Sequence, residues 1–548
     1  MAGNSDNREH RKSQVANRNS RSHIAHRRSQ LQRPSDLRPS DLQTSDPRPS
    51  DLRPSDLQTS DLQTFRPQTF RPQTSDLQTF RPQTFRPQTF RPQTKTLSLA
   101  IQPIHTMKKS SISRRNFLGT AAAAGAAGIV VPAFITSCST EKRAKVVLPT
   151  MLDAAPDGPL LKAGLIGCGG RGTGAALNFL HAGPNLTIAA LGDVFADRIT
   201  ACRERLAKDG VEIADEKCYT GFDAYQKVID SGVDILILAT PPYFRPMHFE
   251  AAVTAGKHVF MEKPVAVDPA GARQIMATGE KAKGMELCVV TGTQRHHQHD
   301  YVATWGKVQE GMIGDIVAAN CYWNQNQLWY RDPNPSWSEM EYMIRDWVNW
   351  CWLSGDHIVE QHVHNIDVIN WFTGKKPVSA VSFGARHRRV TGDQYDFFST
   401  DFIYDGGFHV HSMCRQINGC EGNVSEWIQG TKGTSNCQNT VWDQAGTELW
   451  KYDGYKLDDQ GKMTEELIRS PYDQEHIDFV TAIRTGKPLN EAEFVAVSTM
   501  AGIMGRVSAY TGKKVTWDEM MNSELKLGPK VFEMGPVDVS KTVPVPGE

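Results

Sequence analysis

The chain has 548 residues, 39% of them hydrophobic and 22% charged, with 61 Lys+Arg against 61 Asp+Glu, which is length for two or three globular domains with ordinary cores. The even balance conceals a basic leader. Residues 1–106 carry 17 Lys+Arg and 9 Asp+Glu, and with Lys108, Lys109, Arg114 and Arg115 also set aside, 40 basic residues face 52 acidic ones, a balance that argues against binding a nucleic-acid phosphate backbone.

Between Phe65 and Thr94 the unit Phe-Arg-Pro-Gln-Thr recurs beside Ser-Asp-Leu-Gln-Thr units, with too little apolar surface to form a core. A basic arm can touch nucleic acid or a membrane. The expectation for 1–106 is instead a low-complexity, disordered and dispensable extension ahead of a start at Met107. From Met107 the chain runs through Lys108, Lys109 and Ser113-Arg114-Arg115-Asn116-Phe117-Leu118 into an Ala/Gly-rich run closing at Ile135-Thr136-Ser137-Cys138. That run is nearly long enough for a membrane-spanning helix, yet it is weakly hydrophobic. Residues 107–138 resemble a twin-arginine export signal with a lipoprotein cleavage box. The resemblance implies a lipidated Cys138 and a periplasmic or cell-envelope location. The other nine cysteines lack the paired C-x-x-C spacing of a zinc site. An oxidising compartment permits a disulfide, but sequence does not pair them, Cys414 and Cys420 being merely the nearest two.

After a linker over 139–159, a Rossmann domain is expected at 160–292. The apolar run Leu160–Ile166 reads as a strand and meets Gly167-Cys168-Gly169-Gly170-Arg171-Gly172. Helical residues from Ala175 follow, so the glycines of this G-x-G-x-x-G sit at a strand-to-helix turn that can hold a pyrophosphate. A second apolar strand, Leu186 to Asp193, ends in an acid 21 positions after Gly172. A carboxylate there suits both ribose hydroxyls and favours NAD, with NADP kept open by nearby Arg198; the plainer role for Asp193 is a helix N-cap. Val233–Ala239 gives a third strand, followed by Thr240-Pro241-Pro242 and a helix containing His248. The next strand, around Val259, ends in Glu262-Lys263-Pro264. Strands alternating with helices specify a doubly wound parallel sheet, and Lys263 falls at its carboxyl edge, where ligands bind.

The glycine loop, Asp193, Thr-Pro-Pro with a downstream His, and Gly-Lys-His-Val-x-x-Glu-Lys-Pro together resemble the Gfo/Idh/MocA family, over about Leu160 to Trp517. The resemblance implies cofactor contacts from Gly167, Gly169, Gly170, Arg171, Gly172, Asp193, Thr240, Pro241, His248, Glu262, Lys263, Gln294 and Arg295. It also places Lys263 against both the substrate hydroxyl and the cofactor. In Thr293-Gln294-Arg295-His296-His297 the family's second arginine is replaced by His296.

A substrate and oligomerisation domain is expected at 293–517, of α+β type with a large, open and mostly antiparallel sheet; short alternating runs such as Val378–Phe383, Asp396–Tyr404 and Phe408–Met413 carry that reading. Its free face suits contacts in a homo-oligomer, a dimer or tetramer. Helical runs at Glu475–Arg484 and Glu491–Tyr510 close the domain, and the Pro-rich tail 518–548 is expected to wrap the surface. Between Trp323 and Trp352 lies an aromatic stretch, with Trp329, Tyr330, Trp337, Tyr342, Trp347 and Trp350. It suits a carbohydrate pocket or an interface equally, and Trp329 is taken as a substrate contact.

Read as one helix, Asp356, Glu360, His364 and Asp367 share a stripe at spacings of four, four and three. Glu360, His364 and Asp367 match the family pattern D-x-x-x-H-x-x-D, with Glu for the first Asp. Hydride leaves a sugar carbon only as the hydroxyl proton is removed, so a base near neutral pKa is needed. His364 suits that pKa and Lys263 suits the charge, its ammonium stabilising the developing alkoxide, and sequence does not decide which of the two takes the proton. Glu360 orients His364 or holds a second hydroxyl, and Lys263, Arg295, Trp329, Glu360 and His364 form the expected substrate set. No metal is expected, because His362 and His364 diverge by roughly 160° on a helix. The expected activity is an exported oxidoreductase with tightly bound NAD, or NADP, acting on a ring hydroxyl of a sugar or glycoside. Alternatives are an NAD-dependent glycoside hydrolase or lyase working through a transient keto-sugar, whose known members usually depart from the Glu-Lys-Pro motif, and a non-catalytic sugar-binding lipoprotein.

Overall fold

The structure, a computed structural model, describes residues 146–460, 463–466 and 469–548, with only the backbone strand at 463–466. The extension 1–106, the segment 107–138 with Cys138 and the linker as far as 145 lie outside the described residues.

Six strands, β1 (Leu161–Ile166), β2 (Leu186–Asp193), β3 (Cys218–Thr220), β4 (Ile235–Leu238), β5 (His258–Met261) and β6 (Val289–Thr291), form a sheet of order β3-β2-β1-β4-β5-β6. Every pairing is parallel. β4 is Ile-Leu-Ile-Leu with all four residues buried, the continuous apolar pattern of a strand covered on both faces. Helices α1 (Gly170–His181), α2 (Ala196–Ala207), α3 (Ala224–Ile229), α4 (Arg245–Thr254) and α5 (Pro269–Gly284) provide the cover. The strand order reverses at β1, so the loops after β1 and β4 flank one crevice at the carboxyl edge.

Beyond α6 (His299–Gln309), β7 (Ile316–Gln325) starts the second sheet, and four helices follow it: α7 (Glu339–Arg345), α8 (Cys351–Ser354), α9 (His357–Glu360) and α10 (Val363–Thr373). Then come β8 (Pro377–Ala385), β9 (Phe397–Tyr404), β10 (His409–Gln416), β11 (Asn423–Gly430), β12 (Gly433–Ser435), β13 (Thr440–Asp443) and β14 (Glu448–Lys451), a small hairpin of β15 (Tyr455–Leu457) and β16 (Met463–Glu466), helices α11 (Pro471–Thr485) and α12 (Ala492–Thr511), and β17 (Val515–Thr516). The nine-stranded order is β14-β13-β12-β11-β7-β10-β9-β8-β17. All its pairs are antiparallel except β7 with β10. In β9 alternate residues are buried, as a sheet with one covered face requires; Phe398 and Phe402 there pack with Ile358, Ile503 and Met504, each such side chain contributing about 1.5–3 kcal/mol.

The closing helices differ from their expected place. Ile477, Phe479 and Val480 of α11 pack into the core of the dinucleotide half, as do Ala492, Val495 and Ala496 at the start of α12. Only the later part of α12, with Met500, Ile503 and Met504, serves the second sheet. In the tail, Leu527, Phe532, Val537 and Val539 pack with an aromatic cluster, and Tyr395 donates to the Pro544 carbonyl at 2.8 Å. No described helix is long and apolar enough to cross a membrane, and none of the nine described cysteines is in a disulfide.

Candidate active site

The glycines of the first loop do different jobs. Gly167 has φ +96°, and a Cβ there would stand 2.6 Å from the Ala239 carbonyl carbon; on Gly172 it would collide with the Gly167 carbonyl oxygen. Gly169 and Gly170 are open, a Cβ meeting nothing within 4 Å among the described residues. α1 begins at Gly170 with Gly169 as an uncapped N-cap. An open, glycine-faced helix N-terminus fits a pyrophosphate. Asp193 pins this loop, accepting from Cys168 N at 2.7 Å and Phe195 N at 2.9 Å. Burial pushes its carboxyl up, against those two bonds. α2 starts after Phe195, so Asp193 is not its N-cap, and a carboxylate has about four acceptor positions, leaving capacity for a ribose. The residues present fit the nucleotide.

Arg171 does more than line the loop. It pairs with Glu262 and, at 2.9 Å, with Glu475 of α11, and its guanidinium lies 4.9 Å from the centre of the Tyr472 ring. Glu475 is fully buried, and burial pushes its carboxyl well up in spite of Arg171. Glu475 and Tyr472 lie some three hundred positions from the loop, and no sequence signal ties them to it. Thr240 and Pro241 follow β4 at the crevice. His248 is not open to a ligand: it is stacked against Tyr225 and Phe244, reaches Thr240 Oγ1 at 3.4 Å, and burial lowers it to about 3. Its part is to hold Thr240. Gln294 Oε1 is buried without a hydrogen-bond partner among the described residues.

Lys263, at the end of β5, donates to the Glu360 carbonyl at 2.7 Å and to Glu360 Oε1 at 3.3 Å. The continuous helical stripe does not form. α9 stops at Glu360 and α10 starts at Val363; His364 N reaches Gln361 O at 3.4 Å instead of the Glu360 carbonyl. In an unbroken helix that carbonyl would be used by His364 N–H. The break releases it to Lys263. Burial first, then the charges of Lys263, Arg295 and Arg171, hold His364 well below the usual histidine range, so it is a neutral imidazole. Its ring stacks on Trp323 of β7, centroids 5.5 Å apart; of the aromatic stretch it is Trp323, rather than Trp329, that this packing brings to His364.

The other two members of the stripe face elsewhere. Asp356 is buried against Tyr395 and Tyr510, and Asp367 binds His296 at 2.6 Å, with His296 stacked on Trp371. His296, where the family pattern has arginine, is thus held by a carboxylate. His362 turns to Ser412 Oγ at 2.7 Å and Cys321. Arg295 is committed to Glu426 at 2.6 Å and Asn365 at 2.9 Å, so it braces the two sheets and acts on His364 through its charge rather than as a free ligand group. Two residues of the aromatic stretch are internal core, Trp350 and Trp352, buried with Phe244, Met343 and Val537, and Tyr342 and Trp347 pack half-buried against the same cluster. Trp329 is 45% exposed and packs on Trp347 and Arg331; no contact joins it to Lys263 or His364 among the described residues.

Residues 161–298 match the oxidoreductase family with an NAD-binding Rossmann fold, and residues 304–436 match the GFO/IDH/MocA C-terminal domain. The chain is 28% identical over 212 residues to a glycosyl hydrolase family 109 protein of Streptomyces coelicolor, covering 38% of this chain and 44% of that one. It is 33% identical over 143 residues to inositol 2-dehydrogenase 1 of Saccharopolyspora erythraea, covering 26% and 41%. The chain thus spans less than half the length of these curated relatives. An oxidoreductase from Thermotoga maritima has the same fold, with TM-score 0.50 and 21% identity over 66% of this chain and 99% of that one.

Proposed function

Because residues 161–298 and 304–436 match the two domain models of Gfo/Idh/MocA-type oxidoreductases, we propose that this protein is an exported NAD-dependent oxidoreductase acting on a ring hydroxyl of a sugar, polyol or glycoside. The observation that carries the proposal is the pairing of Lys263, held by two oxygens of Glu360, with a neutral His364 at the carboxyl edge of the dinucleotide sheet. Gly169, Gly170 and the start of α1 would hold the pyrophosphate, Asp193 the ribose, and Thr240, Glu262 and Gln294 the nicotinamide end. When bound, the nucleotide supplies the hydride acceptor.

His364 takes the hydroxyl proton. Its imidazole is neutral and so able to accept, whereas Lys263 already donates two protons to Glu360. The third ammonium proton then meets the developing alkoxide, a charge-assisted contact in a site from which water is largely excluded. Trp323, stacked on His364, offers a flat face to sugar C–H groups.

A Ser113–Leu118 export signal and Cys138 lipidation place the protein at the cell envelope in this reading. Free nucleotide is scarce there, so NAD stays tightly bound and a second carbonyl substrate reoxidises it. The exposed side of the second sheet, with Val381, Phe383 and Trp427, is the expected contact between copies. The similarity to a glycosyl hydrolase family 109 protein favours one other reading, transient oxidation followed by elimination and hydride return. The deciding experiment releases and identifies the nucleotide from purified protein, then incubates the protein with a polyol and glycoside panel. Keto product with reduced nucleotide supports oxidoreduction; cleaved glycoside without net reduction supports the second reading. Neither nucleotide nor turnover would sink both.

A further inference from the structure

Asp356 has a backbone that its residue type resists. Its φ is 68° and ψ 161°, a region occupied almost wholly by glycine. The preceding Gly355 takes φ +82°, so the chain passes through two consecutive positive φ angles before the single turn of α9. A buried side chain holds it there. Oδ1 accepts from His357 N at 2.6 Å and lies 2.9 Å from His357 Nδ1. Oδ2 accepts from Tyr395 N at 2.9 Å and the Tyr510 hydroxyl at 2.5 Å. Burial alone would raise this carboxyl; the His357 contact and Arg389 outweigh it and keep it ionised. Arg389 reaches His357 Nδ1 at 3.2 Å and is itself fixed by Tyr395 O and Gln416.

The strained residue sits at one end of a turn whose other end is in the site. The Asp356 carbonyl accepts from Val359 N at 3.0 Å and Glu360 N at 2.8 Å. Beyond Gln361 the chain breaks helical register, which leaves the Glu360 carbonyl to Lys263. Strain of this kind persists only where surrounding bonds over-determine it, and it gathers where geometry must be set closely. A structural N-cap needs only a bond to an amide near the helix start; Asp356 also engages two other segments, through Tyr395 and Tyr510.

We propose that Asp356 is a positioning residue for Lys263: its locked, glycine-like backbone sets α9 so that the Glu360 carbonyl and carboxylate take two protons of the Lys263 ammonium and aim the third at substrate. The proposal rests on the assignment of Lys263 and His364 above. Its test uses the whole purified protein and the variants Asp356→Asn, Asp356→Gly and Tyr510→Phe. Melting temperature, nucleotide affinity, kcat and KM on the polyol panel, and the rate at which Lys263 is acylated by a small reagent, read by peptide mass spectrometry, are measured together. In Asp356→Asn and Asp356→Gly, kcat falls about 10- to 100-fold, the scale of a small misplacement near a reacting centre. Nucleotide affinity holds, and Lys263 acylation speeds up several-fold. Tyr510→Phe, which spares the backbone, moves both readouts the same way by less. Folded Asp356 variants with wild-type acylation and wild-type kcat below their melting temperature overturn the proposal, even if the melting temperature drops. If the wild type turns over nothing on the panel, the activity reading fails, and Lys263 acylation by itself still decides whether Asp356 positions it.

Discussion

Three alanine substitutions in the glycine loop separate folding from nucleotide binding. Gly169 lies at φ −71°, ψ −177°, which alanine adopts freely, and its Cβ would meet nothing within 4 Å among the described residues. Gly169→Ala is therefore expected to leave stability within about 0.5 kcal/mol. Gly170 is exposed in the first turn of α1, and alanine there gains up to about 1 kcal/mol of helix propensity. Both methyl groups would occupy the space through which a pyrophosphate reaches the amides. Losing one charge-assisted hydrogen bond costs about 1.5–3 kcal/mol, or roughly 10- to 100-fold in Kd. Gly172→Ala differs, because its Cβ would collide with the Gly167 carbonyl oxygen and stand 3.1 Å from Ala239 Cβ. Overpacking against backbone should cost about 1–3 kcal/mol of stability, and binding should fall with it. Urea denaturation and calorimetric titration with NADH read the two effects separately. Wild-type affinity in both Gly169→Ala and Gly170→Ala would refute the assignment of this loop as the pyrophosphate cradle.

Four further outcomes are expected. His364→Ala should lower kcat about 10²- to 10⁴-fold, the usual worth of a general base, with circular dichroism and nucleotide binding unchanged; retained turnover removes His364 from the chemistry. Because the His364 pKa is depressed, the acid limb of kcat/KM should fall below pH 6.5, and a limb at or above 6.5 would contradict the neutral, buried imidazole. Glu426→Gln leaves Arg295 buried without its carboxylate, which should cost about 3–5 kcal/mol in denaturant midpoint measurements, against under 1 if the pair were solvent-screened. Asp393 is raised from 3.8 to about 7, chiefly by burial. The fold retains that proton while the unfolded chain loses it, so stability falls as pH rises from about 4 to about 7 and stays lowered above, by about 4 kcal/mol at most. Asp393→Asn should raise stability at pH 8 and not at pH 4; equal effects at both would show that the carboxyl is not held protonated.

Local pattern was enough wherever the chain's chemistry is local. A G-x-G-x-x-G at a strand end, an acid at the next strand end, and alternating strands and helices determined the doubly wound sheet and put Lys263 on its carboxyl edge, because parallel strands joined by helices have few other ways to pack. The alternation in 378–413 likewise implied a one-sided antiparallel sheet; only pairing revealed that β7 and β10 run parallel inside it. Glu360 and His364 were visible as a spacing, but the spacing suggested a helix that does not exist. A positive φ at Asp356, held by bonds to Tyr395 and Tyr510 far along the chain, starts a new turn, and a break between Glu360 and Val363 ends it and frees the Glu360 carbonyl. Glu475 and Glu426 stayed hidden for the same reason. Each becomes a partner of Arg171 or Arg295 only when α11 or β11 is brought back against the site, and periodicity carries no information about which distant carboxylate a buried arginine will meet.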